Sequence, residues 1–255
     1  MEHGTTSHQF SDADWDEYAT CYDTLLELRP YQKVCAAVLD AISPQEGDSI
    51  LDAGCGTGNL LSLMCAQKKQ LRLYGIDLSA SMLNRARKKL EWKDEVHLMQ
   101  TSLDAALPFE DGYFNRVVSV NVLYAVPRPL HTLQEFFRVL KCGGTLVCVT
   151  PKRGYDNGLI LKDHAESTLP DAYWKDPHQS REREELLLRE ALDDDRLIAA
   201  MQHIAQHNRR IAKSATFHFF TVEEIETVLR ASGFSQVTIK PTYARQSFLV
   251  RAVKE

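Results

Sequence analysis

The sequence predicts an α/β fold in which a mostly parallel sheet carries helices on both faces. Two observations predict it. From residue 49 to residue 150, short apolar runs alternate with helical patterns at a steady rhythm, as crossover helices between parallel strands require. At the first strand-to-helix junction, Gly54, Cys55, Gly56, Thr57 and Gly58 place glycine at alternate positions. Such a loop turns tightly and brings a ligand against bare peptide N–H groups. The helix that follows points its positive end at the same place. A nucleotide-type cofactor site at the carboxyl end of a buried strand is therefore expected.

Composition bounds the rest. A chain of 255 residues fits one sizeable domain, or one domain with an inserted cap. A formal charge of -5 argues against a general nucleic-acid or membrane-surface binder. The six cysteines (21, 35, 55, 65, 142, 148) form no C-x-x-C pair, so buried free thiols in a reducing cytoplasm are expected, with no metal. The first residues lack the basic-then-apolar pattern of a signal peptide. No apolar run is long enough to span a bilayer. A cytoplasmic protein is the expectation.

In chain order, residues 1–10 are polar, and Ser11 offers an N-cap with Asp14 three positions on. Trp15, Tyr18, Tyr22 and Leu25 recur at helical spacing, which predicts a first helix with an aromatic face. Pro30 suits a second helix start, and Val34, Val38 and Ile42 make its apolar stripe. These two helices (1–44) precede the sheet and are placed to cover the site. Strands follow at 49–53, 71–76, 96–100, 114–120 and 145–150, with helices at 60–67, 80–90 and 130–140. Gly143-Gly144 reads as a left-handed stop for the last of these helices. Arg85, Arg87, Lys88 and Lys89 read as a solvated helix face. The rhythm breaks at Pro151. Residues 152–215 read as loop to about 179 and as charged helix beyond, an inserted helical cap on the substrate side. A helix at 222–231 and strands at 235–240 and 246–252 complete the cofactor-binding domain (45–151 and 216–255), the strands as a closing hairpin.

Three features sharpen the glycine loop. Asp52, just ahead of it, would repel a pyrophosphate but could pair with or orient a cationic ligand. Asp77 ends the next strand, placed for two ribose hydroxyls. The loop lacks the Lys-Ser/Thr of a phosphate-gripping P-loop.

With these residues in view, 50–59 resembles motif I of the class I S-adenosylmethionine-dependent methyltransferases. Gly75-Ile76-Asp77-Leu78-Ser79 is similar to that family's ribose-binding strand end, and 102–109 to its adenine-contacting loop. The segments 114–126 and 133–150 resemble its fourth and fifth strand regions. The resemblance implies a Rossmann-like, seven-stranded sheet with a reversed last strand, and S-adenosyl-L-methionine as cofactor. It implies that Gly54, Cys55, Gly56 and Gly58 line the cofactor, that Asp52 orients its amino group, and that Asp77 binds its ribose. Leu78 and Met82 would pack near the adenine. The family often has an acidic residue where Leu103 stands: either Asp104 takes its place at the adenine amino group, or Leu103 only packs on the ring. Asn121 follows the fourth strand and would bound the methyl-transfer side, or organise a turn.

Methyl transfer from a sulfonium is an in-line displacement, so the protein must chiefly align donor and acceptor and exclude water. Trp15, Tyr18 and Tyr22 are expected on the acceptor side, or as core. Tyr124, just past the fourth strand, is the preferred acceptor-side residue. His203 and His207, an i, i+4 pair in the cap, offer a base with its orienter, or simple packing. His164, Trp174, His178 and His218 have no assigned place. Lys152, Arg153 and Arg245 either bind an acidic substrate or solvate loops. The expected activity is methylation of a small organic acceptor at O, N or C. Methylation of tRNA or protein, or a non-catalytic cofactor-binding role, are the alternatives.

Overall fold

The computed structural model describes residues 12–67, 69–91, 93–176, 180–212 and 217–255. Its centre is β1 (Ser49–Ala53), buried at every position because strands flank it on both sides. The chain runs outward from β1 through β2 (Arg72–Asp77) to β3 (Val96–Gln100), then crosses back to β4 (Phe114–Val120) on the opposite side. β5 (Leu140–Pro151), β6 (Ser235–Thr242) and β7 (Ser247–Val253) complete a seven-stranded sheet of order β3-β2-β1-β4-β5-β7-β6. β7 alone runs antiparallel to its neighbours β5 and β6. The sheet order reverses between β1 and β4, and in such sheets ligands bind outside the strand ends at that point.

Helices cover both faces. α2 (Arg29–Ile42), α3 (Asn59–Cys65) and α4 (Ala80–Lys89) pack Val34, Val38, Leu61 and Leu83 against Ile50, Val118 and Val147. On the other face α5 (Pro129–Val139) and α10 (Val222–Ala231) bury Leu133, Phe136, Ile225 and Leu229 on Leu51, Val117 and Leu146. Pro30 stands in the first turn of α2 and Thr221 closes a capping box on α10. Between β5 and α10 the chain inserts α6 (Asn157–Ala165), α7 (Asp171–Trp174), α8 (Arg181–Ala191) and α9 (Asp195–Ala212). These helices share a third apolar cluster with the N-terminal segment, joining Leu161, Leu188 and Met201 to Tyr18 and Leu28. The N-cap expected at Ser11 lies outside the described residues. Among the described residues, no helix is long and apolar enough to cross a membrane.

Three expectations need correction. The aromatic stripe is not one helix. α1 (Asp12–Ala19) ends early, and a 3-10 turn (Tyr22–Glu27) follows after Cys21 accepts hydrogen bonds from Thr24. Second, Gly143-Gly144 does not stop α5. Leu140 leaves that helix already extended, and Gly143 takes its positive φ inside β5, where the pairing shifts between Phe114 and Arg116. A bulge needs the same left-handed freedom as a helix stop, so glycine signals either. Third, 152–179 is not all loop. Asp156 caps α6 by accepting from the Gly158 amide at 2.9 Å, and the α7 residue Trp174 is buried and donates Nε1–H to Ser167 Oγ. Three apolar residues, Leu159 to Leu161, carry α6, too short a run to show a period.

Candidate active site

A cavity of ≈ 250 Å³ opens over the carboxyl ends of β1, β2 and β4, roofed by the N-terminal segment, α6, α8 and α9. Its floor begins at the glycine loop. Gly54 donates its amide to Ile76 O at 2.8 Å and holds φ +80. A Cβ there would lie 2.3 Å from Val122, so the loop and the segment after β4 touch through a missing side chain. Gly56 (φ +54) lines the cavity, and the Tyr22 ring passes 3.5 Å from where its Cβ would stand.

Two carboxylates set the electrostatics. Asp77 Oδ2 accepts the Gly56 amide at 2.8 Å while Oδ1 accepts the Ser79 amide at 2.9 Å. The acid at the end of β2 thus fixes the glycine loop and the entry to α4 together. Asp52 lies deeper, on β1. Burial, and then the neighbouring Asp77 charge, push its carboxyl up to about 8. A buried acid pair of this kind is relieved by a cation.

The N-terminal segment is tied down at both ends of α4. At the helix start, Asp16 Oδ1 accepts from Ser79 Oγ at 2.8 Å, and that hydroxyl also caps the Met82 amide. The Ser79 hydrogen bond holds the Asp16 carboxyl below its usual range. At the helix end, Lys89 Nζ donates to Asp23 Oδ1 at 2.8 Å and to Asn59 Oδ1. Asp23 also accepts from the Thr57 hydroxyl of the glycine loop. Lys89 is therefore not part of a merely solvated face.

Of the residues assigned to the cofactor from sequence, Gly54, Gly56, Asp77, Leu78, Met82, Leu103, Asp104 and Asn121 line the cavity. Asp52, Cys55 and Gly58 do not: Asp52 is 3% exposed beneath the loop, the Cys55 thiol packs beside Gly75, and Gly58 faces Ala86 of α4 and Leu90 just past its end. Asp104 is already engaged. Arg128 donates Nε–H to its Oδ1 at 3.0 Å and an NH2 proton to its Oδ2 at 3.1 Å. Asn121 adopts φ +56, a turn conformation, and receives no hydrogen bond at Oδ1 from the described residues.

Trp15, Tyr18, Tyr22 and Tyr124 line the other half of the cavity. His203 and His207 do not line it. His207 is fully buried behind Tyr18, its ring stacked on the phenol ring at 4.3 Å, with Trp15 at 5.6 Å. The i, i+4 pair therefore falls on the packing face of α9, and a base role for His207 is not what this geometry offers. His164 accepts from the Arg29 amide, and the His218 amide donates to Tyr124 O. His178 lies outside the described residues. Arg153 is paired with Glu224 and lines no part of the cavity, nor do Lys152 and Arg245. Among the described lining residues there is no Lys, Arg or His; the charged ones are Asp77, Asp104 and Glu184.

Sequence reasoning missed Tyr155, Phe219 and Tyr243, which complete an aromatic wall with Tyr124. Phe219 lies between Tyr124 at 5.6 Å and Tyr155 at 5.3 Å. Tyr243 opens a turn in which Tyr243, Ala244 and Arg245 all hold φ between +50 and +62. No glycine marks that turn, so nothing in the sequence announced it. Burial raises the hydroxyls of Tyr18, Tyr124 and Tyr243 above their ordinary value; the next cause is a neighbouring phenol for Tyr18 and Tyr124, and the Cys35 thiol for Tyr243. None of these phenols ionises near neutral pH.

Fold and site together define an α/β protein with a glycine and carboxylate cradle beside an aromatic-walled pocket. A methyltransferase-domain family model matches residues 51–148. A demethylmenaquinone methyltransferase of Clavibacter sepedonicus is 35% identical over 169 residues, covering 62% of this chain and 66% of that protein. Two solved structures share the fold across almost the whole chain. One is from the complex between the Haloferax volcanii Trm112 methyltransferase activator and the putative methyltransferase (TM-score 0.64, 20% identity, 94% and 96% of the two chains). The other is a possible histamine N-methyltransferase of Thermotoga maritima (TM-score 0.58, 18% identity, 95% and 99%). The chain spans between about a third and two thirds of the length of the curated relatives it matches. Residues 51–148 form a methyltransferase domain of the class I S-adenosylmethionine-dependent type.

Proposed function

We propose that this protein transfers a methyl group from S-adenosyl-L-methionine to a small, uncharged, largely apolar acceptor that carries a ring. The observation that carries the reading is the cavity: one end is the glycine and carboxylate cradle, the other is walled by Tyr124, Tyr155, Tyr243 and Phe219, and no cationic side chain lines the described part. Burying a phosphate or carboxylate there without a partner would be costly, whereas flat rings stack well on such walls. The relatives named demethylmenaquinone methyltransferases, similar to this chain over their matched regions, support an acceptor of this kind.

The cradle suits the cofactor. Gly54 and Gly56 present bare backbone, Asp77 offers lone pairs to ribose hydroxyls, and Leu78, Met82 and Leu103 give apolar surface for a base. The Arg128 clasp on Asp104 leaves the adenine contact to Leu103 packing and to the loop backbone. Asp52, beneath the loop, would orient the ammonium of the methionine moiety directly or through water, while Asp77 serves the ribose. Bound there, the cofactor supplies an electrophilic methyl on a sulfonium. The chain's own part is to position the acceptor in line and keep water out. Tyr124 acts as a neutral phenol that orients the acceptor. The inserted helices α6, α8 and α9, with the N-terminal segment, form the substrate-side cover.

Label transfer tests this. With methyl-labelled S-adenosylmethionine, label should pass to 1,4-dihydroxynaphthalene and not to phosphoethanolamine or bulk tRNA. Label found only in tRNA or in the phosphate-bearing amine would reject it.

A further inference from the structure

The acceptor half of the cavity holds one polar group that the fold itself does not use. Ser247 opens β7, lines the cavity and is 1% exposed. Its Oγ has no hydrogen-bond partner among the described residues. Leaving a hydroxyl buried and unpaired costs about 1–3 kcal/mol, and native folds leave few such groups without a purpose. The one other lining atom of this kind among the described residues is Asn121 Oδ1, on the cofactor side.

Strand register explains why this serine reaches the acceptor. Ser247 pairs with Pro151 and Phe248 with Thr150. Alternation then puts Ser247 on one sheet face and Thr150 on the other. Thr150 is also an orphan hydroxyl, 0% exposed, yet lines no part of the cavity. The two form a natural pair, one beside the pocket and one remote from it.

The segment that carries Ser247 is held under strain. Tyr243, Ala244 and Arg245 all take left-handed conformations, each at a cost of order 1 kcal/mol or more. Buried Gln246 keeps them there, donating Nε2–H to Ala244 O at 3.1 Å and accepting the Asp156 amide at 2.9 Å. Its carbonyl accepts the Lys152 amide at 3.0 Å. The turn thus ties the sheet end to the entrance of α6 and fixes Tyr243 and Ser247, both of which line the cavity.

We propose that Ser247 is the specificity-determining contact for an acceptor oxygen. Its hydroxyl hydrogen-bonds a hydroxyl or carbonyl oxygen of an otherwise apolar ring stacked against the tyrosine wall. This rests on the reading of the cavity as the acceptor site, and it narrows the acceptor class to oxygen-bearing rings.

Fluorescence titration of the protein saturated with S-adenosylhomocysteine tests it, with 1-naphthol and naphthalene as probes. The wild type should bind 1-naphthol more tightly than naphthalene. Ser247→Ala should cut that preference about fivefold, as loss of one hydrogen bond implies, and leave the naphthalene affinity as it was. Thr150→Val, the remote control, should keep the wild-type preference. Removing an orphan hydroxyl strands no partner, so the Tm of S247A should be unchanged or raised. The proposal is overturned by an unchanged preference in S247A, by no preference in the wild type, by an equal shift in T150V, or by a lowered Tm for S247A. Failure of S-adenosylhomocysteine itself to bind is a separate result, and it removes the reading of the cavity on which the proposal stands.

Discussion

Replacing Asp52 with asparagine separates what the fold pays at the cofactor cradle from what binding gains. Burial and the Asp77 charge lift the Asp52 carboxyl from the ordinary 3.8 to about 8. At pH 7 the folded protein therefore holds a proton that the unfolded chain gives up. The sign follows from linkage: with the folded value raised, stability falls as pH climbs from about 4 to about 8 and is flat above. About three pH units of that window lie below pH 7. At about 1.4 kcal/mol each, the free protein loses up to about 4 kcal/mol there. Urea unfolding at pH 5 and pH 8 reads this directly. The wild type should be less stable at pH 8 than the other carboxylates alone would make it, and Asp52→Asn should remove that deficit. The same variant should bind S-adenosylhomocysteine at least tenfold more weakly, since an amide cannot ionise to meet the arriving ammonium as the buried carboxyl can. If D52N keeps the wild-type pH slope, or binds the cofactor product equally well, the reasoning about the buried acid pair fails.

Other perturbations follow from the same geometry. Lys89→Ala unties Asp23 and Asn59 from α4, so S-adenosylhomocysteine should leave several-fold faster in stopped-flow displacement while Tm changes little, the pair being partly exposed. Gly54→Ala forces a Cβ to 2.3 Å from Val122 at φ +80, and should cost about 1–3 kcal/mol in urea unfolding with loss of cofactor binding.

The sheet and the cofactor loop were legible because their signals are local. Alternate glycines after an apolar strand, and an acid at the end of the next, leave few backbone solutions. The acceptor side was not legible, for reasons that differ by residue. Tyr243 enters the pocket only because three non-glycine residues adopt left-handed backbone, a conformation that no composition signal announces. Tyr155 and Phe219 meet Tyr124 from distant segments, so only tertiary contact joins them. His207 shares a helical face with His203 as spacing required. Which way that face points depended on Tyr18 and Trp15 packing behind it, a long-range choice. Asp52 kept its place in the electrostatics yet lies under the loop, since its strand is buried on both faces. Gly143-Gly144 showed the limit of a local rule, because a bulge and a helix stop ask the same freedom of glycine.

The most direct test of the central claim, that this cavity seats S-adenosylmethionine against the glycine loop and Asp77, is calorimetry with S-adenosylhomocysteine on the wild type and on Asp77→Ala. On the proposed reading Asp77 binds the ribose hydroxyls, and it holds the Gly56 amide at 2.8 Å. One-to-one binding that weakens at least tenfold in D77A is the predicted result. No binding to the wild type, or equal binding to both, would contradict it.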